Sequence, residues 1–356
     1  MNCRYLFCAI GLSALFSVAQ GQDAANSALK SDQASQQASK VPRTADGRPD
    51  LQGIWANNSA TPLERPKGLE GRALLTDQEV AGMKKKAKEL YGGTGDAAFG
   101  DTIFETVYAS LKGSVSGPHK KAANEFDGGT GDYSSEWIVA REWDNRTSLI
   151  TDPPDGKLPP MTPEGKARRD ATFAAMSRPA RGPEDRGLSE RCISYGSPQL
   201  TAGYQSYYQI QQTPDAVVFM TEMIHDVRVI PLDGRPHVSA GIHQWLGDSR
   251  GHWEGDTLVV DSTNYKPRSF MSFSSEKLHV IERFTRTGPD GLKYEITIDD
   301  SGTWTKPWSL TIALKHSPVP IFEYACHEGN TGLAGILAGA RAEEKAAAQP
   351  GSATPK

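Results

Sequence analysis

The sequence predicts a mainly β fold, an antiparallel barrel with a few peripheral helices. Three observations predict it. After Gln199 apolar and polar residues alternate at period two, as in Leu292–Asp300, where Leu292, Tyr294, Ile296 and Ile298 face one way and Lys293, Glu295, Thr297 and Asp299 the other. The alternating runs (Tyr204–Thr213, Val217–Ile230, Thr257–Ser262, His279–Thr287, Leu292–Asp300, Trp308–Leu314 and Ile321–Cys326) are joined by short turn signals such as Thr213-Pro214-Asp215 and Gly288-Pro289-Asp290-Gly291, which pairs consecutive strands antiparallel. The stretch Val217–Asn264 organises the rest, with β-rich runs flanking two turn-rich segments, Leu232–Pro236 and Gly247–Gly251. Val217–Ile230 is too long for one ordinary strand, so a bend or bulge is expected in it.

The first residues suggest an address. Arg4 supplies a positive start, Tyr5–Val18 is apolar, and Ala19 and Gly21 are the small residues expected just before a cut at Gln22. Residues 1–21 therefore read as a secretory signal peptide, with an apolar run shorter than the ~20 residues of a membrane span. Residues 22–40 hold almost nothing apolar and read as a disordered tether. A single β-rich domain is expected over 41–341, with a helical and loop excursion at about 60–190 and a frayed tail over 342–356. The expected localisation is periplasmic or secreted, with no membrane span after cleavage. Cys3 and Cys8 leave with the peptide, and Cys192 and Cys326 remain. Two cysteines in an exported chain most simply form one disulfide. The competing reading is a catalytic thiol at Cys326-His327-Glu328. A net charge of −4 with interspersed signs, and no basic stripe beyond Lys84-Lys85-Lys86, argues against nucleic acid.

Helices punctuate the excursion. Thr76 and Glu79 make a capping box for a helix to about Leu90. The Gly-, Asp- and Ser-rich stretch from Gly93 to Tyr133 reads as a long loop. Alternation returns at Trp137–Trp143, and Arg146–Ile150 leads a strand into the proline-rich turn Asp152–Pro160. Thr162-Pro163 opens a helix to about Met176. Gly332–Ala348 reads as a final helix.

Gly53-Ile54-Trp55 resembles the glycine-x-tryptophan signature on the first strand of lipocalin-like barrels, where the tryptophan closes one barrel end. That resemblance implies a lipocalin-like antiparallel barrel. The longer segments RTSLITDPPDGKLPP (146–160), SERC (189–192), QTPDAVVFM (212–220), HDVRVIPLDGRPH (225–237), WLGDSRGHWEGDTLVVDSTN (245–264) and EYACHEGN (323–330) resemble an uncharacterised family of bacterial exported proteins over roughly Asp46 to Arg341. The resemblance implies one globular exported unit and no activity.

The chemistry is sought inside the barrel. By parity along Val217–Ile230, His225 falls on the apolar face with Phe219 and Thr221, where an imidazole needs a partner or a ligand. Glu282 is a second candidate, since a carboxylate on a dry wall must be paired. His327 and Glu328, beside Cys326, would sit at the barrel mouth. The expected catalytic residues are thus His225, Glu282 and His327. Arg228 or Arg283 would hold a negative charge, and Tyr207, Trp245 and Glu328 would line the site. Trp137, Trp143, Trp253, Trp304, Trp308 and Tyr204 add to an aromatic set able to stack on a ring or pack in the core. The Gly247–Gly251 segment reads as a self-bonded turn or an anion site. His237, His243 and His252 lack any metal-binding spacing, and no phosphate loop or nucleophile elbow is present, so no metal and no cofactor is expected.

The reading these residues support is an exported small-molecule enzyme using acid–base groups in a barrel cavity, of lyase, isomerase or hydrolase type. The alternative is a lipocalin-like binding protein for an apolar or aromatic ligand. A third is an envelope interaction module using the 93–133 loop. The expected partner is a small-molecule ligand or substrate.

Overall fold

A computed structural model describes residues 41–91, 102–113, 141–200, 202 and 205–348. The segments expected as signal peptide and tether, together with Trp137, Tyr204 and most of the 93–133 stretch, lie outside the described residues.

Ten strands form one antiparallel sheet: β1 (Gly53–Ala56), β2 (Ile150–Asp152), β3 (Tyr207–Gln212), β4 (Ala216–Thr221), β5 (Val227–Pro231), β6 (Asp248–Glu254), β7 (Thr257–Thr263), β8 (His279–Arg286), β9 (Gly291–Asp299) and β10 (Trp308–Ser317). Nine follow the order β5-β4-β3-β1-β10-β9-β8-β7-β6, and β2 pairs with β10. The sheet curls into a nearly closed barrel. Its two free edges, β5 and β6, carry no ladder between them. The reason lies in the connection: Leu232–Gly247 is too long and proline-broken for a tight hairpin.

Alternation decides what fills the barrel. Leu292, Tyr294, Ile296 and Ile298 of β9 are buried, as are Leu310, Ile312 and Leu314 of β10. Tyr208, Phe219, Phe284 and Tyr294 meet in a ring cluster, with Phe284 stacked on Tyr294 at 4.5 Å. Each such side chain contributes roughly 1.5–3 kcal/mol by burial. Trp55 is fully buried and donates its indole N–H to Leu51 O at 2.9 Å, beneath the Arg286 guanidinium 5.1 Å from the ring. The expected open cavity in the barrel is therefore occupied by its own aromatic side chains.

Four helices lie outside the sheet: α1 (Asp77–Tyr91), α2 (Thr102–Leu111), α3 (Pro163–Met176) and α4 (Thr331–Ala347). The capping box holds: Glu79 N–H donates to Thr76 Oγ1 at 3.2 Å and Thr76 N–H to Glu79 Oε2 at 2.9 Å. Thr162 caps α3. α1 and α2 share a small apolar cluster of Leu69, Leu75, Met83, Ile103, Phe104 and Val107, so the 93–133 stretch contains a helix rather than loop alone. α4 bears out the helix expected over Gly332–Ala348 and continues past residue 342, where the expected tail began. Two other expectations fail. Ile321–Cys326 is not a strand, and Asp248–Gly251 is strand rather than turn, because the segment pairs with β7 through Asp248↔Thr263 and Gly251↔Val260.

The Cys192–Cys326 disulfide is present, closing a sequence separation of 134 residues. Reduction, or the double change Cys192→Ser and Cys326→Ser, is expected to lower stability by up to about 5 kcal/mol on the loop-entropy model. The check is the urea midpoint with and without reductant, and an unmoved midpoint would show that the bridge constrains nothing.

Candidate functional site

The site begins with a break in the chain. The run Val217–Ile230 is not one bulged strand but two, β4 and β5, joined through Glu222–Asp226. Ile224 (φ 59°) and His225 (φ 47°) adopt the left-handed conformation there, which costs non-glycine residues energy. The five-residue reversal resets the side-chain parity. Phe219 and Thr221 face inward before it and Arg228 and Ile230 after it, while Val227 and Val229 are pushed outward, Val229 to 61 % exposure. His225 thus lies in an exposed turn, its Nδ1 3.2 Å from Tyr324 O, and is not an inward acid–base group.

Arg228 enters the barrel instead. Its Nη1 and Nη2 donate to Glu282 Oε2 and Oε1 at 2.5 and 2.8 Å, and Glu282 is 0 % exposed. The Tyr294 hydroxyl also donates to Glu282 Oε1, and Phe219 presents its ring 5.2 Å from the guanidinium. Burial disfavours the Arg228 charge, but the Glu282 carboxylate outweighs it and raises the pKa. Burial, and then Glu282, push the Tyr294 hydroxyl well up. Glu282 is inward, as expected, and its partners Arg228 and Tyr294 are both buried.

Where β5 and β6 part, a groove opens. The edges touch at one end, where a Cβ on Gly251 would meet Leu232 Cδ2 at 2.6 Å and Ile230 Cγ2 at 2.9 Å. Glycine is required for that approach. At the other end they diverge around a cavity of about 420 Å³ lined by Asp226, Arg228, Trp245 and Asp248, among others. Gly247 (φ +70°) turns the chain there over the Tyr265 ring, which a Cβ would meet at 2.6 Å. Lys266 Nζ stands 4.7 Å from the Trp245 ring centroid.

Two carboxylates differ sharply across this groove. Asp226 Oδ2 accepts from Ser194 Oγ at 2.9 Å and Tyr195 N–H at 3.0 Å. Burial nevertheless pushes its carboxyl above the ordinary range. Asp248 is saturated. Its Oδ2 accepts from Val238 N–H at 3.1 Å and lies 2.8 Å from His237 Nδ1, and its Oδ1 is 2.9 Å from Arg250 Nη1. His237 Nε2 then reaches Asp261 Oδ1 at 3.1 Å, and His279 Nε2 reaches the same carboxylate at 3.1 Å. This Asp248–His237–Asp261–His279 chain runs over the outer face of β6, β7 and β8. Among the described residues no group of three or more His, Cys, Asp or Glu is placed to hold a metal ion.

The structure brings Arg228 and Trp245 to one groove, with Glu282 directly behind, and scatters the other expected residues. Arg283 follows Glu282 by one position and so points outward, pairing with Glu254 at 2.7 Å. Tyr207 lies on the outer side of β3 near Glu222. His327 and Glu328 are exposed in the turn before α4. Arg228, expected to hold a negative charge, borders the groove with its guanidinium already paired to Glu282. Asp226 and the His237–Asp248 pairing were missed. Asp226 sits at the break that parity does not reveal, and His237 and Asp248 lie on different elements eleven residues apart. The only sequence signal was a histidine and an aspartate in one turn-rich stretch.

No protein-family model, no curated protein and no solved structure matches the chain.

The buried pair makes a stability prediction. Glu282→Gln should destabilise the protein by about 3–5 kcal/mol by stranding the Arg228 charge. Arg228→Met with Glu282→Leu should recover most of that loss. Urea denaturation of the two variants checks it, and equal losses in both would refute the account.

Proposed function

We propose that the protein is an exported small-molecule enzyme of acid–base type, of the lyase, isomerase or hydrolase class, working at the β5/β6 groove rather than inside the barrel. The observation that carries this reading is Asp226, a carboxyl raised by burial that faces the same 420 Å³ groove as the Trp245 indole. Perturbed carboxyls in clefts are suited to holding and moving a proton. Asp226 is the proton-transferring group and Trp245 the stacking platform for a ring. Arg228 borders the site with its charge balanced. With Asp248 held by Arg250 and His237 and Arg228 held by Glu282, Asp226 is the carboxyl left facing a ligand, so a neutral or cationic substrate is favoured over an anion. Export is supported by the disulfide, since such bonds persist in oxidising compartments, and by the first 21 residues. No helix among the described residues is long and apolar enough to cross a membrane.

A second reading, a binding protein without chemistry, is favoured by one observation. Asp248 has both oxygens engaged and His237 faces Asp261, so a single carboxyl is left free to react. The two readings separate in one experiment. Purified protein is incubated with fractionated small-molecule extract, and the mixture is followed by NMR. An enzyme makes some signals disappear and others grow, and Asp226→Asn stops this. Signals that only broaden, equally with both proteins, would establish the carrier.

Asp226 also makes a pH prediction. Its folded pKa is raised above the unfolded value, so folding favours the protonated form. The stability it contributes is full below the unfolded pKa and is lost as pH rises through the folded pKa. Asp226→Asn, which keeps an oxygen for the Ser194 and Tyr195 donors, should therefore gain on the wild type as pH rises from acid to neutral. Urea midpoints from pH 4 to 8 test this, and a constant difference would remove the assignment.

A further inference from the structure

A second cavity lies on the other side of the Ile193–Gly196 segment. It measures about 380 Å³, at the small end for ligand sites. Phe173 of α3, Leu188, Tyr195, Met271 and Phe273 form its apolar part, and Ser189, Ser194, Ser269 and Ser272 are interspersed among them. Phe173 is 51 % exposed and Tyr195 38 %, so both rings are open to a ligand in the cavity.

The floor is the connection from β7 to β8, and it is held in costly conformations. Arg268 (φ 70°), Met271 (φ 51°) and Ser272 (φ 62°) are all left-handed without being glycine. Such residues persist only where surroundings over-determine them, and they gather at binding sites. The surroundings here do so. Arg268 N–H donates to Ser274 O at 2.9 Å, and Phe270 N–H to Ser274 Oγ at 3.0 Å. From α3, Arg168 Nε donates to Phe273 O at 2.8 Å. Opposite, Gly196 comes so close that a Cβ would lie 2.8 Å from Ser269 O.

One residue lining this cavity has a side chain with no account within the fold. Arg268 makes no side-chain hydrogen bond, ion pair or ring contact with any described residue. Three nearby arginines are paired. Arg168 is bonded to Phe273 O, Arg178 to Asp185 and Arg186 to Glu190. No carboxylate lines the cavity either. A guanidinium is a planar fork of donors that matches a carboxylate in two parallel bonds, and apolar walls match the body of a ring.

We propose that this cavity binds a small carboxylate with an aromatic or alkyl body, the carboxylate on Arg268 and the body against Phe173, Tyr195 and Met271. The site uses none of the groove's lining residues and stands whether or not the groove is catalytic. The volume suits one or two rings and excludes a polymer.

The test is calorimetric titration of the folded protein with phenylacetate, indole-3-acetate and hexanoate, against acetate, which lacks the body, and 2-phenylethanol, which lacks the charge. At least one of the first three should bind saturably. Acetate and 2-phenylethanol should bind at least about tenfold more weakly, in line with one charge-assisted interaction. Arg268→Gly removes the guanidinium while suiting the left-handed backbone, and should weaken binding about ten- to a hundredfold. Phe173→Ser, on the exposed face of α3, should weaken it independently. No saturable binding by any of the three, binding unchanged in Arg268→Gly, or acetate equalling the larger carboxylates would each overturn the proposal. The groove reading is untouched by any of these results, and Arg268→Gly should leave turnover at the groove intact.

Discussion

The ion pair of Arg228 with Glu282 is the constraint from which the rest of the architecture follows. Two charges taken out of water cost several kcal/mol each, and only close, complete pairing recovers this. Here the recovery is nearly complete: a two-pronged guanidinium–carboxylate contact, a tyrosine hydroxyl on one of the same oxygens, and a phenyl ring beneath the cation. The partners lie on β5 and β8, which are far apart in the strand order. The pair therefore spans the barrel and locks the parity of β5. Slipping β5 by one residue would turn Arg228 to solvent and leave Glu282 alone in a ring cluster. Exposed Val227 and Val229 are what that lock requires of β5's outer face.

The seam follows from the same lock. β5 can neither slide nor rotate to meet β6, and the long connection between them supplies no hairpin to force pairing. The edges come close at Gly251, which offers no side chain, and part around the groove. Unpaired edges invite association with other chains. In this protein the opening is walled by Trp245, Asp226 and Asp248, so the unpaired stretch becomes a polar groove rather than a flat apolar edge. The functional reading belongs to that imperfection in the barrel and not to its interior.

How much of this was legible in the sequence depended on the kind of signal. β7 to β10 were readable because each buries one face, so Leu292 and Tyr294 could be placed inward from alternation alone. The disulfide was readable from an even cysteine count once the first 21 residues were read as a signal peptide. The fold class survives on that evidence. What failed was parity carried across Glu222–Asp226. Two left-handed residues there, Ile224 and His225, are neither glycine nor asparagine, so nothing in their identity announces the reversal. The error moved His225 from the surface to the core. The glycines of Gly247–Gly251 misled in the opposite direction. They serve close approach to Tyr265 and to β5, and only the first of them also turns the chain. Asp226 could not be singled out because its raised pKa arises from burial by segments distant in sequence.

The segment Ile193–Gly196 connects these threads. It is the partition between the groove and the second cavity, and it is held from three directions. Cys192, immediately before it, is bonded to Cys326. Asp226 takes two donors from Ser194 and Tyr195 on the groove side. On the other side Gly196 packs on Ser269 O, at the strained floor carrying Arg268. A partition held this way keeps both cavities open without any barrel ladder to support it. It also explains why a buried carboxyl is tolerated at Asp226. A neutral residue without acceptors would leave the Tyr195 N–H unsatisfied and free the wall. The carboxyl that burial penalises is the same one that keeps the two cavities apart, so its cost and its structural role are inseparable.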